Sequence, residues 1–207
     1  MTKSAKKMRY TALSVAATSA LVGCGAEKVN PTQPVTVTQT VTAASTASTS
    51  SAAPGAGQIG VAYTTGAVTL TVNSVSTPAT VPLMINSYQA GSGYDKYADT
   101  PPEEGGRFVR VETTIMNSGK SSSFDVLCAR PVRMVVLDSE AREYQNMRSM
   151  YKIKGNGDCK DIQPGFKANV TWVFTVPKDA KVRFAMFSDP EASYSTLEMI
   201  DISSQAN

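Results

Sequence analysis

Apolar and polar residues alternate over several short stretches of this chain, most regularly from residue 166 to residue 177. Alternation with a period of two predicts a β-strand that buries one face. The inward face of this stretch carries Trp172, the only tryptophan of the chain, which we expect to anchor the core. The inward set is Phe166, Ala168, Val170, Trp172, Phe174 and Val176, and the polar set is Lys167, Asn169, Thr171 and Thr175.

The same pattern recurs between residues 58 and 207 in shorter stretches separated by turn residues. The turn Asp138-Ser139-Glu140 is predicted to join two of these strands. No window has a convincing long helical period, although short helical turns are compatible with the residues near Ala192. The sequence therefore predicts one all-β domain over residues 58–207, an antiparallel β-sandwich of about seven or eight strands. The further predicted strands are 67–73, 107–117, 132–136, 142–150, 181–187 and 197–202.

Residues 24–57 differ from this domain because Ser, Thr, Ala and Pro dominate their composition. Such a segment cannot bury enough apolar surface to offset the entropy lost on ordering, so we expect a flexible linker. Residues 36–42 alternate like a strand, but no second apolar strand lies close by in the sequence. A flexible coil of this length would span about 30 Å.

Residues 1–23 have the layout of a secretory signal peptide, a basic head followed by a short apolar run. The apolar run is too short for a membrane span, which needs about 20 residues. Leu21-Val22-Gly23-Cys24 resembles the lipobox of bacterial lipoproteins, with Leu three places before the Cys and a small residue just before it. The resemblance implies cleavage before Cys24, a diacylglycerol on its thiol, and attachment to the extracellular face of the cell membrane.

The net charge changes when the leader is removed. The whole chain carries +3, and the leader holds four bases and no acid, so the mature chain carries −1. Nucleic-acid binding relies on Lys and Arg that neutralise phosphates. We therefore expect no nucleic-acid partner and assign membrane contact to the lipid.

The cysteines divide into one lipid site and one pair. With Cys24 assigned to the lipid, Cys128 and Cys159 remain as an even pair in an exported, oxidising setting. We predict that they form a disulfide. The alternative, two free thiols that bind a metal, is weaker because the chain has no histidine and no Cys-x-x-Cys pair.

The absence of histidine removes several kinds of chemistry. Ser-His-Asp and Cys-His catalysis and His-ligated zinc all need an imidazole. The acids near Asp95 and Asp99 lack the order of a calcium-binding loop. Met147 and Met150 form a poor copper site without His or a free thiol. Carboxylate-only and Ser-Lys chemistry survive this argument, but the acids fall in separate loops and their spacing indicates no such site. We therefore predict no catalytic residues, no metal and no cofactor.

Several short motifs of the folded part resemble a known family. They match the telokin-like, immunoglobulin-fold domain of Gram-positive surface lipoproteins, over about residues 58–188. The resemblance implies an immunoglobulin-like sandwich, and this family of unknown function brings no catalytic residues. This chain departs from the family in its long insert before Gly105 and in its cysteine pair. The motifs are Gln58-Ile59-Gly60, the run from Val68, Gly106 to Glu112, Asn117-Ser118-Gly119 and Gln163-Pro164-Gly165.

A long segment predicted as irregular, residues 86–106, carries Tyr88, Tyr94 and Tyr97 among Gly, Ser and Asp. Rigid tyrosines on an adaptable loop are typical of protein-binding surfaces. The alternative is that the rings cover the open end of the sandwich. The first hypothesis is a non-enzymatic surface lipoprotein that binds an envelope protein through this loop. The second is a small-ligand or metal-delivery lipoprotein, and an enzyme is the third.

Overall fold

The computed structural model describes residues 55–128, 132–159, 161–189 and 197–207. The predicted leader, residues 1–23, the lipid site Cys24 and all but the end of the linker lie outside the described residues, as does the helical turn expected near Ala192. No helix of the described part is long and apolar enough to span a bilayer. The strands are β1 (Ala62–Thr65), β2 (Val68–Ser76), β3 (Val81–Met84), β4 (Tyr97–Thr100), β5 (Gly106–Asn117), β6 (Arg133–Asp138), β7 (Glu143–Gln145), β8 (Lys167–Pro177), β9 (Val182–Ser188) and β10 (Glu198–Asp201).

Eight of these strands form two antiparallel four-stranded sheets. The first sheet has the order β1-β2-β5-β8 and the second has the order β10-β9-β6-β7. Strands β3 and β4 pair only with each other as a hairpin. The predicted all-β sandwich is thus confirmed, with eight strands in its two sheets.

The core between the sheets is built by the alternation of β8 and its neighbour β5. Val170, Trp172, Phe174 and Val176 are all buried, and Trp172 is completely enclosed. The indole Nε1 of Trp172 donates to the hydroxyl of Thr113 at 2.9 Å, and that hydroxyl donates to the carbonyl of Val170 at 3.0 Å. The predicted anchor therefore buries its polar atom with a partner.

Phe166 does not join this inward face. Its side chain is 68% exposed, because the strand begins at Lys167 and Phe166 belongs to the preceding turn. In that turn the N–H of Phe166 donates to the carbonyl of Gln163, and Gly165 adopts a φ of 81°. The prediction that Phe166 lies in the core is wrong.

The second half of the predicted strand 142–150 also differs. Strand β7 ends at Gln145, and a single 3₁₀ turn follows at Met150–Lys152. Between β7 and this turn the chain runs along the outer edge of β8, where the N–H of Met147 donates to the carbonyl of Val173 at 2.8 Å. Farther on, the Asn156 side chain accepts from the N–H of Thr171 at 2.7 Å and donates to its carbonyl at 2.9 Å. A side chain here replaces a neighbouring strand.

The second sheet has an additional neighbour at β10. Gly57 makes a parallel bridge to Ile200, in which the N–H of Gly57 donates to Met199 and the N–H of Asp201 donates to Gly57. Three residues later, the N–H of Gly60 donates to the carbonyl of Val72 in the first sheet. Residues 57–60 thus connect one sheet to the other.

Candidate functional site

The segment predicted to be irregular, residues 86–106, contains a strand. Strand β4 pairs with β3 in the register Val81 with Thr100 and Met84 with Tyr97. Tyr97 therefore lies in a strand, and the true loop is the hairpin connection of residues 85–96. Tyr88 and Tyr94 belong to this loop.

Short polar side chains hold the hairpin loop in place. Asn86 donates from Nδ2 to the carbonyl of Tyr94 at 2.8 Å and accepts from the N–H of Lys96 at 3.1 Å. The carboxylate of Asp95 accepts from the N–H groups of Gly91 and Gly93. Both glycines have a positive φ, 77° and 84°, which other residues rarely adopt. The loop is therefore organised before any partner binds.

Asp95 is used inside the loop and does not face a ligand. A hydrogen bond from the Tyr97 hydroxyl, with further ones from backbone N–H groups, holds the pKa of Asp95 below its usual value. The same bond raises the pKa of Tyr97. Tyr97 is partly buried, and the ammonium of Lys154 lies 5.8 Å from its ring centroid. Tyr97 thus supports the loop from within.

The hairpin loop exposes three large apolar side chains, Ile85 at its base and Tyr88 and Tyr94 farther along. The exposed fractions are 64% for Ile85, 58% for Tyr88 and 71% for Tyr94. The rings of Tyr88 and Tyr94 lie together, with centroids 5.9 Å apart and planes tilted by 39°. We call these three residues the aromatic patch. The alternative expectation, that the rings cover the end of the sandwich, is wrong for Tyr88 and Tyr94.

Ile85 was missed by the sequence reasoning, which considered only the tyrosines. Val81, Leu83 and Ile85 continue one alternating face, and this was the available signal. Val81 is buried and Leu83 is partly buried, whereas Ile85 extends beyond the last pair of the hairpin and is exposed.

A groove lies beside the hairpin, at the start of β8. Its volume is about 340 Å³, within the range of small-ligand pockets. Polar residues stand at its borders, among them Asn156, Asp158, Asp161 and Lys167. The only signal for the groove in the sequence was the apolar Phe166 just before the strand. Apolar side chains form most of its lining: Val126, Leu127, Ile162, Phe166, Ala168 and Val170.

A disulfide between Cys128 and Cys159 joins two walls of the groove. Their Cα atoms are 5.7 Å apart, and they follow Leu127 and Asp158, which line the groove. Asp125 lies beside the two sulfurs, but its carboxylate accepts from the N–H groups of Leu127 and Cys128. With both sulfurs bonded to each other, this cluster offers no thiolate to a metal.

One side-chain hydrogen bond attaches the hairpin loop to the groove. Gln89, in the hairpin loop, donates from its side-chain amide to the carboxylate of Asp158 on the groove border. Ala90, next to Gln89, is buried. The loop is thus attached to the groove at its middle, while the patch remains exposed.

The methionines considered for copper have structural positions. Met150 is completely buried in the core, and Met147 is partly buried against it. The flexible side chain of Met150 fills space in the core, as methionine side chains commonly do. Its thioether is enclosed and does not face solvent.

No protein-family model matches the chain, and no curated protein matches it. Solved structures that resemble it include three bacterial proteins. The first is an uncharacterised β-sandwich protein from Clostridium difficile 630, with 14% identity, a TM-score of 0.45 and coverage of 71% of this chain and 94% of that one. The second is a conserved hypothetical protein from Bacillus anthracis, with 17% identity, a TM-score of 0.46 and coverage of 70% of this chain and 94% of that one. The third is the yjhA protein from Bacillus subtilis, with 13% identity, a TM-score of 0.44 and coverage of 70% of this chain and 98% of that one. Function is therefore argued from the site itself.

Proposed function

We propose that this chain is a non-enzymatic interaction module of the cell surface, which binds a protein of the envelope through the aromatic patch. The observation that carries the proposal is the exposure of Ile85, Tyr88 and Tyr94 on a loop held by side-chain hydrogen bonds. Tyrosines are enriched among the residues that dominate binding energy in protein interfaces. A preorganised loop also loses less entropy on binding.

The sequence supports the cellular context of this proposal. The lipobox-like Leu21-Val22-Gly23-Cys24 and the polar segment after it would display the sandwich on a lipid-anchored tether at the extracellular face of the membrane. The resemblance to the telokin-like, immunoglobulin-fold domain of surface lipoproteins agrees with this context. Fold alone does not assign an activity, so the proposal depends on the patch.

The chemistry of the described residues supports a binding role. The chain has no histidine to act as a general base near neutral pH. The carboxyls with lowered pKa values, Asp95 and Asp138, accept hydrogen bonds within turns. These are structural uses of a carboxylate, in which the charged form is already satisfied.

The test is in-cell crosslinking followed by mass spectrometry. The intact protein should crosslink reproducibly to one envelope protein through residues 85–96, and Cys24→Ala, which releases the chain from the membrane, should lose that product. Tyr88→Ser with Tyr94→Ser should weaken binding of the identified partner by at least about tenfold, because an interface tyrosine contributes about 2 kcal/mol or more.

A matched control removes exposed apolar residues elsewhere. Leu197 and Met199 are 46% and 37% exposed at β10, so Leu197→Ser with Met199→Ser changes a similar kind of surface. This pair should leave the partner bound with unchanged affinity. Equal loss with both pairs, or no loss with the tyrosine pair, would show that the patch is not the binding surface.

A second candidate function is supported by the groove: a lipoprotein that carries a small ligand. The apolar lining and the volume of about 340 Å³ favour it. A thermal-shift screen with copper, calcium, lipid and cell-wall fragments tests it. A ligand at 100 times its dissociation constant should add about 2.7 kcal/mol to the free energy of unfolding.

A further inference from the structure

Strand β8 keeps an open edge where it meets the groove. In an antiparallel sheet, alternate residues direct their main-chain groups to opposite neighbours. Thr171 directs its N–H and carbonyl away from β5, since both bond to Asn156. Lys167 and Asn169, four and two residues earlier, therefore direct their main-chain groups the same way.

This edge has no neighbour within the described residues. The bridges outside the named strands include Asn146 with Phe174 but none at residues 167–170, and no main-chain bond beyond the sheet involves Lys167 or Asn169. Both residues are exposed. Two N–H groups and two carbonyls are thus available to a partner.

The open edge forms one side of the groove. Lys167, Ala168, Asn169 and Val170 all line it, together with the apolar residues Val126, Leu127 and Ile162. A molecule in the groove would therefore meet both main-chain donors and acceptors and apolar side chains. An added β-strand requires this combination.

We infer that the groove binds an extended peptide segment of a partner protein, which adds to the edge of β8 as one more strand. The segment pairs its main chain with Lys167 and Asn169 and places an apolar side chain against Val126, Leu127 and Ile162. The inference rests on the proposed interaction function and supplies it with a binding mode.

The two ends of the edge set the length of the segment. Asn156 closes the edge at Thr171, and the turn at Gly165 and Phe166 closes it before Lys167. Four strand residues remain, about 13 Å at roughly 3.3 Å per residue. The pairing is therefore short, and the groove and the neighbouring aromatic patch add contact area to it.

Charge and complementarity favour a peptide of a particular kind. Among the described residues that line the groove, Asp158 and Asp161 are acidic and Lys167 is basic, so a neutral or basic segment is favoured over an acidic one. A lipid chain would satisfy the apolar residues but none of the main-chain groups of the edge. The bond from Gln89 to Asp158 attaches the hairpin loop to the groove, so a partner in the groove lies beside the loop that carries the aromatic patch.

The test uses a fluorescent, capped hexapeptide of sequence Lys-Val-Thr-Val-Thr-Val and its acidic counterpart, Glu-Val-Thr-Val-Thr-Val. Anisotropy with the full chain should give saturable binding of the basic peptide, at least about threefold tighter than the acidic one. Two N-methylated versions, at the three Val or at the Lys and the two Thr, separate the two edges of the peptide. Methylation of the edge that faces β8 should weaken binding at least about tenfold, and methylation of the other edge by less than about threefold, since a tenfold change corresponds to about 1.4 kcal/mol.

The matched variants are Asn169→Pro and Asn169→Ala. Both lose the side-chain bond from Thr114 to Asn169, but only proline removes the outward N–H, and β5 does not use that N–H. Asn169→Pro should weaken peptide binding at least about tenfold while Asn169→Ala changes it by less than about threefold. Thermal melts of both variants verify that each one folds.

Each remaining outcome overturns the inference. These are no saturable binding up to millimolar peptide, equal effects of the two methylation patterns, equal affinity of Asn169→Pro and Asn169→Ala, and concentration-dependent self-association of the chain that is lost in Asn169→Pro. The variant Tyr88→Ser with Tyr94→Ser should still bind the short peptide. Loss of the envelope partner in that variant with retained peptide binding supports both proposals. Partner binding retained in Tyr88→Ser with Tyr94→Ser, but lost together with peptide binding in Asn169→Pro, would reject the patch and keep the strand addition.

Discussion

The hydrogen bond between Trp172 and Thr113 gives a quantitative prediction about stability. Both side chains are buried, and the Thr113 hydroxyl is the acceptor 2.9 Å from the indole Nε1. Thr113→Val keeps the shape of the side chain but leaves the indole N–H enclosed without an acceptor. Such a group costs about 1–3 kcal/mol. The added methyl recovers at most about 0.8 kcal/mol. We expect a net loss of about 1–2 kcal/mol in the free energy of unfolding.

The assay is urea unfolding followed by far-UV circular dichroism, at constant pH, with the disulfide intact. For a domain of this size, each kcal/mol also lowers Tm by about 2–4 °C. Trp172→Phe provides the control background, because phenylalanine has no N–H to satisfy. Thr113→Val should cost less in that background by about 1–2 kcal/mol, which is the coupling energy of the pair. An equal cost in both backgrounds, or a neutral Thr113→Val in the native background, would refute the reasoning.

Three further predictions follow from other described contacts. Burial alone raises the pKa of Asp138, but hydrogen bonds from Arg142, Tyr144 and Glu140 outweigh it and bring that pKa to about 2, below the ordinary 3.8. The ionised Asp138 therefore stabilises the fold above about pH 4, and this contribution is lost as the pH falls towards 2. Asp138→Asn should reduce the loss of stability at acid pH, measured by urea unfolding at a series of pH values. The bridge between Cys128 and Cys159 should make the intact mass lighter than that of the reduced chain by two hydrogen atoms, and its reduction should cost about 3–4 kcal/mol on the chain-entropy account. Two titratable thiols in the exported domain would contradict the pairing. Gly57→Ala would place a Cβ 2.5 Å from the Tyr63 ring, so it should destabilise the domain by about 1–3 kcal/mol in thermal melts. At Gly60 a Cβ would meet no atom within 4 Å, but the backbone φ is 84°, so Gly60→Ser tests backbone strain without a steric clash.

The sequence was sufficient for the central strands and insufficient at their ends. Strand β8 was predictable because its neighbours bury one face, so the period of two continues through Val170, Trp172 and Phe174. The same pattern cannot show where the opposite sheet stops, which is why Phe166 was assigned to the core. Val173 lies on the other face of β8 and is still buried. Its burial depends on chain segments far away in sequence, so no local pattern indicates it.

The hairpin and the groove were harder to predict for related reasons. Strand β4 reads Tyr-Ala-Asp-Thr and pairs only with β3, so its residues carry no apolar alternation. The tyrosines of the loop were found because their type suggests contact surfaces, and only the fold could decide that Tyr97 turns inward. The groove requires residues 126–127, 156–158, 161–163 and 166–170 to meet in space. The spacing of residues within each segment does not indicate that the segments are neighbours in the fold.

The bridge at Gly57 has a mechanical consequence. Any tension that reaches the sandwich through its N-terminal segment acts first on two hydrogen bonds, from Gly57 to Met199 and from Asp201 to Gly57. Behind them stands the bond from Gly60 to Val72, which belongs to the other sheet. Pulling would therefore detach the segment from β10 before it strains β2, and single-molecule force measurements should record a small early extension ahead of unfolding. The sandwich would yield a few residues of chain length under tension while its core and its hairpin stay folded.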